Sequence, residues 1–316
     1  MLAQNCSFQS IAKTLGRHVS TISREVAAGS CNKYTYRAGR AEARAVRNNR
    51  KRKAGKYALD QQTKLKRYVY RKLRLKWSPV QIAESLEIDY PLDMSMRISP
   101  EAIYAYLYVL PRGELKKELL SCLRQNRKHR HKQRRGTEAK RKLEDMLSIE
   151  ERPKEVADRA IPGHWEGDLI MGRYKRTALG TLVERTTRYT ILVALGKNKD
   201  AESVRKAYAR ELGALPKEIA KTLTYDQGKE MSEPKQFTID TGMQVYFAHP
   251  GSPWERGTNE NTNGLIRQYF PKGTEFDKVS AREIKRVQRE LNDRPRAVLH
   301  YQKPDEVINR LVALKV

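Results

Sequence analysis

The sequence predicts a multidomain chain, with an all-α front half followed by an α/β back half. Three observations predict it. The net charge of +27 is concentrated at one end: residues 1–142 hold 34 basic and 11 acidic side chains, and the remaining 174 hold 30 and 26. The front half shows helical periodicity and helix-starting Ser-Pro pairs. The back half switches to short alternating apolar runs separated by turn residues.

At 316 residues the chain is long enough for two or three cores. A basic front half fits a polyanionic partner, because lysine and arginine on phosphates release condensed counterions. A solvated basic surface is the alternative that charge alone leaves open. Cys6, Cys31 and Cys122 are widely spaced, without a C-x-x-C pair, and suit neither a zinc finger nor a disulfide framework. No apolar run approaches the length of a membrane span, and no signal-like segment opens the chain, so a cytoplasmic location is expected.

Residues 8–26 read as two short helices around a turn. Ser7 caps the first, and Ile11, Ala12 and Leu15 fall on one face. Gly16 supplies the turn, and Ile22 points inward from the second helix. This is helix-turn-helix geometry, and it offers Arg17, Ser20, Thr21, Ser23 and Arg24 to double-stranded DNA. An ordinary helical hairpin is the bland alternative. Residues 33–56 form a basic helical stretch. Leu65, Val69 and Leu73 then recur every four residues. Ser78-Pro79 and Ser99-Pro100 start two further helices, with Ile82, Ala83, Leu86, Ile103 and Leu107 as their apolar stripe. Residues 124–142 are a dense basic run whose His129 and His131 lack metal-ligand company. The expected domains are 1–56, 57–123, a basic linker over 124–152, and 153–316.

The back half reads as strands over 164–171, 178–186 and 189–195, a helix over 200–212, strands over 222–225 and 243–248, then helices over 258–270 and 280–292. Three strands followed by alternating helix and strand is the order of an RNase H-like (retroviral-integrase-like) α/β fold. With period two, Glu166 and Asp168 share one face of the first strand, and a carboxylate there has little structural use. Asp226 ends a strand before Gln227-Gly228, where an Asx turn is an equal alternative. Glu260 shares a helix face with Asn263, Gly264 and Arg267. Carboxylates so placed suit Mg²⁺, and two such ions roughly 3.5–4 Å apart serve phosphoryl transfer. Glu166 and Asn263 are candidates for supporting roles, with Glu166 also a rival ligand. Glu230 and Glu255 are expected at the surface, and Trp254 either packs or contacts DNA.

The stretches GHWEGDLI, TYDQGKE, VYFAHPGSPWERGTNENTNGLIRQYFPKGT and LNDRPR resemble the transposases of the IS-thirty family of bacterial insertion sequences, as does the front Thr-Ile-Ser-Arg-Glu. That family carries a DDE triad with 33 residues between the second Asp and the Glu, the spacing of Asp226 and Glu260 here. The resemblance implies Asp168, Asp226 and Glu260 as catalytic metal ligands for Mg²⁺ (two ions, with Mn²⁺ able to substitute) and Arg267 as a DNA contact. It also implies binding to terminal inverted repeats and target DNA, strand cleavage, 3′-hydroxyl strand transfer, and at least a dimer on nucleoid DNA. A nuclease without strand transfer and a catalytically decayed DNA-binding regulator are the alternatives. Relatives usually carry a helix before the segment that begins at Phe8, for which residues 1–7 leave little room.

Overall fold

The computed structural model describes residues 2, 6–29, 34–53, 57–111, 113–124, 147–153, 155–159, 161–228, 231, 233–250 and 252–313. Most of the basic run, with His129 and His131, lies outside them, as do Cys31 and Glu230. The chain forms two compact units, residues 1–67 and 68–316. The second helical segment, expected as a domain of its own from residue 57, therefore belongs largely with the back half.

The first unit holds α1 (Phe8–Leu15), α2 (Val19–Gly29), α3 (Ala38–Lys53) and α4 (Ala58–Gln61). Ser7 caps α1 by accepting from Ser10 N, and Gly16 ends it at φ 60°. There Gly16 and Arg17 return their N–H groups to the carbonyls of Lys13 and Ala12. Ile11, Ala12 and Val26 are buried, whereas Leu15 is 57% exposed, so the apolar face of α1 is narrower than its spacing suggests. Arg44 on α3 reaches back to Glu25 on α2.

α5 (Thr63–Arg74) leads into α6 (Pro79–Asp89), α7 (Pro100–Val109) and α8 (Glu114–Ser121). Leu65, Val69 and Leu73 are fully buried, as the four-residue spacing requires. Ser78 and Gln81 form a capping box at α6, and Ser99 caps α7. Arg97 fixes the long connection by donating to the carbonyls of Leu86, Tyr90 and Pro91.

The back half contains β1 (Leu147–Ser148), α9 (Glu155–Asp158), β2 (His164–Met171), β3 (Ala178–Glu184), β4 (Thr190–Gly196), α10 (Ala201–Gly213), β5 (Thr222–Tyr225), α11 (Pro234–Thr241), β6 (Gln244–Phe247), α12 (Gly257–Ile266), α13 (Ala281–Asp293) and α14 (Pro304–Ala313). The sheet order is β1-β6-β5-β2-β3-β4. β2, β3 and β4 pair antiparallel, and β2–β5, β5–β6 and β6–β1 pair parallel. The expected meander and the strands after it are present. Residues 147–148, assigned to a linker by their basic surroundings, instead add a short edge strand.

Alternation along β2 divides the core. Trp165 packs with Leu182, Val193, Tyr208, Leu223 and Phe237 on the side of α10 and α11. Ile170 packs with Leu179, Leu265, Ile266, Val287 and Leu291 on the side of α12 and α13. Each face of the sheet is thereby covered by helices, the layered arrangement of an α/β domain.

The helical segment is docked on this domain by hydrogen bonds and a cation–π contact, without an ion pair among them. Gln81 Nε2 donates to Pro295 O at 2.6 Å, and Arg294 Nε donates to Gln81 Oε1 at 3.0 Å. Lys76 lies over the Tyr269 ring and donates to Gln268 O, while Tyr269 donates to Leu75 O.

His164 opens β2 almost fully buried, its Nδ1 against Thr222 Oγ1 at 2.9 Å. Burial, assisted by Lys221, pushes its imidazole down to about 4 from an ordinary 6.5. Between those values the unfolded chain takes up a proton that the fold refuses, so stability falls as pH drops from about 6.5 toward 4 and levels off below. Urea titrations across that range are expected to show this loss in the wild type and a smaller one in His164→Asn.

Candidate functional site

β2 carries Glu166 and Asp168 on the face that meets α12, as the period-two reading requires. Asp168 is half-buried. Its Oδ1 accepts from Leu169 N at 2.9 Å, and its Oδ2 accepts from Asn263 Nδ2 at 2.7 Å. Asp226 follows β5, the parallel neighbour of β2. Its Oδ1 accepts from Gly228 N at 3.1 Å, so the Asx turn is real. Its Oδ2 remains available and faces a guanidinium.

That guanidinium is Arg256, at the start of α12. Its Nη1 lies 3.6 Å from Asp168 Oδ1 and donates to Gly167 O at 3.1 Å, and its Nη2 lies 3.4 Å from Asp226 Oδ2. Burial raises the Asp168 carboxyl above its ordinary range, Arg256 opposes that rise, and the nearby Asp226 adds to it. Two carboxylates brought together, Asp168 from within β2 and Asp226 from just past the end of β5, repel, and one cation between them relieves the repulsion.

Glu260 is exposed on the first turn of α12, three residues before Asn263. Among the described residues no three His, Cys, Asp or Glu side chains are gathered closely enough to hold one ion. The structure therefore unites Asp168 with Asp226 and leaves Glu260 on the same helix but outside the cluster. The donor chemistry fits a hard divalent cation: two carboxylate oxygens already share one cationic partner, and the amide oxygen of Asn263 is buried without a hydrogen-bond partner.

Glu166, a rival ligand by sequence, is spent elsewhere. It is fully buried, its Oε2 accepts from Asn259 N at 2.9 Å, and its Oε1 lies 3.5 Å from Arg185 Nε. It holds the first turn of α12 against the sheet, where a carboxylate complements the helix dipole. Asn259 Oδ1 in turn accepts from Thr181 Oγ1 at 3.2 Å. Asn263 touches the site through its hydrogen bond to Asp168 Oδ2.

Arg267 departs from expectation. Its guanidinium donates to the carbonyls of Met171, Phe270 and Pro271, which ties the end of α12 to the end of β2. Glu255 departs as well: it is no surface acid, since it accepts from both His249 N and His249 Nδ1 at 2.8 Å and closes the loop before α12. The side chain of Trp254 lies outside the described residues. Arg17, Thr21, Ser23 and Arg24 are exposed on the first unit, with Ser20 half-exposed and bonded to His18.

Arg256, Asn259 and Arg185 were missed by sequence reasoning. Each lies in a polar stretch where charge and periodicity offer many equivalent residues, and only packing shows which carboxylate each one meets.

Gly167 completes the geometry. A Cβ there would lie 2.7 Å from Tyr225 Cδ2 and 2.9 Å from Tyr225 Cε2. Tyr225 is fully buried and immediately precedes Asp226, so relief of the clash must move one carboxylate relative to the other. Gly167→Ala is expected to cost about 1–3 kcal/mol of stability, and to lower the activity of a site built on the aspartate pair further than that loss of folded protein explains. Denaturant unfolding run beside activity per folded molecule checks both.

Comparison with known proteins adds two matched regions. An integrase core domain model matches residues 158–253, and a helix-turn-helix domain model matches residues 1–29. The chain is 41% identical over 312 residues to the transposase for insertion sequence element IS1086 of Cupriavidus metallidurans, covering 98% of this chain and 91% of that one. It is 42% identical over 316 residues to the transposase InsI for insertion sequence element IS30A of Escherichia coli, covering 99% and 81%. It is 32% identical over 318 residues to the transposase for insertion sequence element IS4351 of Bacteroides fragilis, covering 99% and 93%.

Proposed function

Since the chain belongs to the IS30 family of insertion-sequence transposases, we propose that it binds the terminal inverted repeats of its own element, cuts one strand at each end, and joins the freed 3′-hydroxyl to target DNA. The observation that carries this reading is the pairing of Asp168, within β2, and Asp226, just past the end of the neighbouring parallel strand β5, around one cationic group beneath the helix that bears Glu260. Among the described residues no helix is long and apolar enough to cross a membrane.

Asp168, Asp226 and Glu260 would hold Mg²⁺, or Mn²⁺ in its place. Bound there, the metal supplies an activated water and offsets charge on the phosphoryl oxygens. Asn263 holds Asp168 in one rotamer, and Glu166 fixes the turn of α12 from which Glu260 projects. Arg256 offsets part of the charge of the two aspartates before metal enters, and a guanidinium so close is well placed to pair with a DNA phosphate afterwards. The exposed residues of α2 and the basic front half hold the duplex. In the joining step the 3′-oxygen forms a new bond to phosphorus, the bridging oxygen departs in line, and the 3′-hydroxyl proton is lost to solvent. Joining two ends calls for at least two copies of the chain.

A strand-transfer assay tests the reading. With a labelled element end, Mg²⁺ and a target duplex, the expected product is label covalently joined to target, absent with Glu260→Gln. Cut but unjoined ends would favour a hydrolytic nuclease, and binding without cutting would favour a decayed regulator.

A further inference from the structure

A second polar feature lies on the other flank of α12. A cavity of about 410 Å³ is bounded by the start of α6, by Gly257, Thr258, Asn261 and Leu265 of α12, and by the segment after α13. Four arginines line it: Arg124, Arg159, Arg188 and Arg296. Among the described lining residues there is no carboxylate.

Arg296 forms a buried floor, Arg188 is half-buried beside it, and Arg124 and Arg159 make an accessible rim. Arg296 is only 6% exposed, and its Nη2 donates to Leu291 O at 2.9 Å, while its Nε and Nη1 are buried with no hydrogen-bond partner. Arg188 donates through Nη1 to Thr258 Oγ1 and also has a buried Nε without a partner. Arg124 donates to Asn261 Oδ1 at 2.8 Å, and Arg159 is exposed. The carboxylates nearest Arg188 are already committed: Glu184 accepts from Gly163, Thr186 and Thr187, and Glu166 from Asn259.

Arg294, two residues earlier, shows what a docking arginine looks like. It is as buried as Arg296, but it donates to Gln81 Oε1 and to Gln268 Oε1 at 2.7 Å. Arg296 has no such neutral partners for its remaining donors. A buried guanidinium with idle donors is costly unless an anion completes it. Burial pushes Arg296 down to about 9, and the neighbouring Arg294, Arg124 and Arg188 push the same way.

The geometry points to a phosphate-binding pocket in which Arg296 and Arg188 grip one backbone phosphodiester of the bound DNA while Arg124 and Arg159 flank the strand at the rim. This inference rests on the transposase reading for its ligand. Planar guanidinium forks suit phosphate oxygens, and helix N-terminal peptide groups such as those around Gly257 favour the same charge. Because α12 carries Asn263 to Asp168 on one side and walls the cavity on the other, a phosphate held here fixes the strand relative to the carboxylates. The LNDRPR stretch thereby gains two distinct roles, docking for Arg294 and strand grip for Arg296.

The test uses the full chain and a duplex carrying the element's end, in EDTA so that no metal-dependent step contributes. Fluorescence anisotropy across a salt series is expected to show binding weakened about tenfold by Arg296→Gln and by Arg124→Ala, with the log–log salt slope reduced by about one in each. Arg210→Ala, on α10, is the control and should leave both unchanged. Arg124→Ala spares the buried floor, so it remains informative where Arg296→Gln folds poorly. Thermal unfolding in inorganic phosphate against chloride at matched ionic strength should show protection of the wild type that Arg296→Gln lacks. Wild-type affinity and slope in well-folded Arg124→Ala and Arg296→Gln would overturn the proposal. Phosphate protection with unaltered DNA binding would also overturn it, by assigning the pocket to a free anion. Failure of the transposase chemistry would instead appear in cleavage assays with metal and leave these readings intact.

Discussion

Asp168→Asn is expected to remove metal-dependent DNA cleavage by at least about a hundredfold to a thousandfold, the scale at which one preorganised transition-state contact acts. The substitution keeps the shape of the side chain and the β2 backbone. An amide oxygen can still accept from Asn263 Nδ2, as Asp168 Oδ2 does at 2.7 Å. What is lost is one of the two charges that Arg256 now bridges. Folding should survive, because burial already raises this carboxyl and the neutral form is the one a desolvated site tolerates best. The measurement pairs cleavage of a labelled element end in Mg²⁺ with anisotropy of the same duplex in EDTA. Retained cleavage at wild-type rate would remove Asp168 from the metal site. Loss of binding in step with cleavage would make the residue a structural one.

Trp165→Ala is expected to cost about 3–5 kcal/mol, a large share of the roughly 5–15 kcal/mol that separates a folded domain from its unfolded chain. Trp165 is fully buried among residues from β3, β5 and α10, and its Nε1 donates to Ile219 O at 2.7 Å. Alanine leaves a cavity in the sheet's α10 face and strips a buried carbonyl of its donor. Urea unfolding followed by tryptophan-independent far-ultraviolet circular dichroism measures the midpoint shift. A loss below about 1 kcal/mol would show that the surrounding core collapses into the space.

The elements of the back half were legible because their periods differ. The strand over 164–171 was read at its observed ends, since Trp165, Gly167 and Leu169 alternate with Glu166, Asp168 and Ile170. The strand over 222–225 was read equally well. The short strand at 147–148, α11 and α14 were not read. Two residues carry no period, and α11 and α14 bury little of their own length. In the front half, Ser7, Gly16, Ser78 and Ser99 acted as the caps their identities suggested, because capping is a local hydrogen bond that needs no tertiary partner.

The candidate site divides along the same line. Sequence alone determined that acidic residues would stand on one face of β2, after β5 and on α12, since strand and helix periods fix which way a side chain leaves the backbone. It could not decide how those acids would be used, because that depends on which neighbour lies within 3–4 Å after the sheet closes. Tertiary structure gave Glu166 to the first turn of α12, Arg267 to the carbonyls at the end of β2, and Arg256 to Asp168 and Asp226 together. It also placed Arg294 and Arg296, two residues apart in one short motif, in opposite circumstances: one paired by glutamines, the other buried beside a cavity with donors to spare. Local periodicity sets direction, and long-range packing sets the partner, which is why the acids could be read from the chain and the arginines only from the fold.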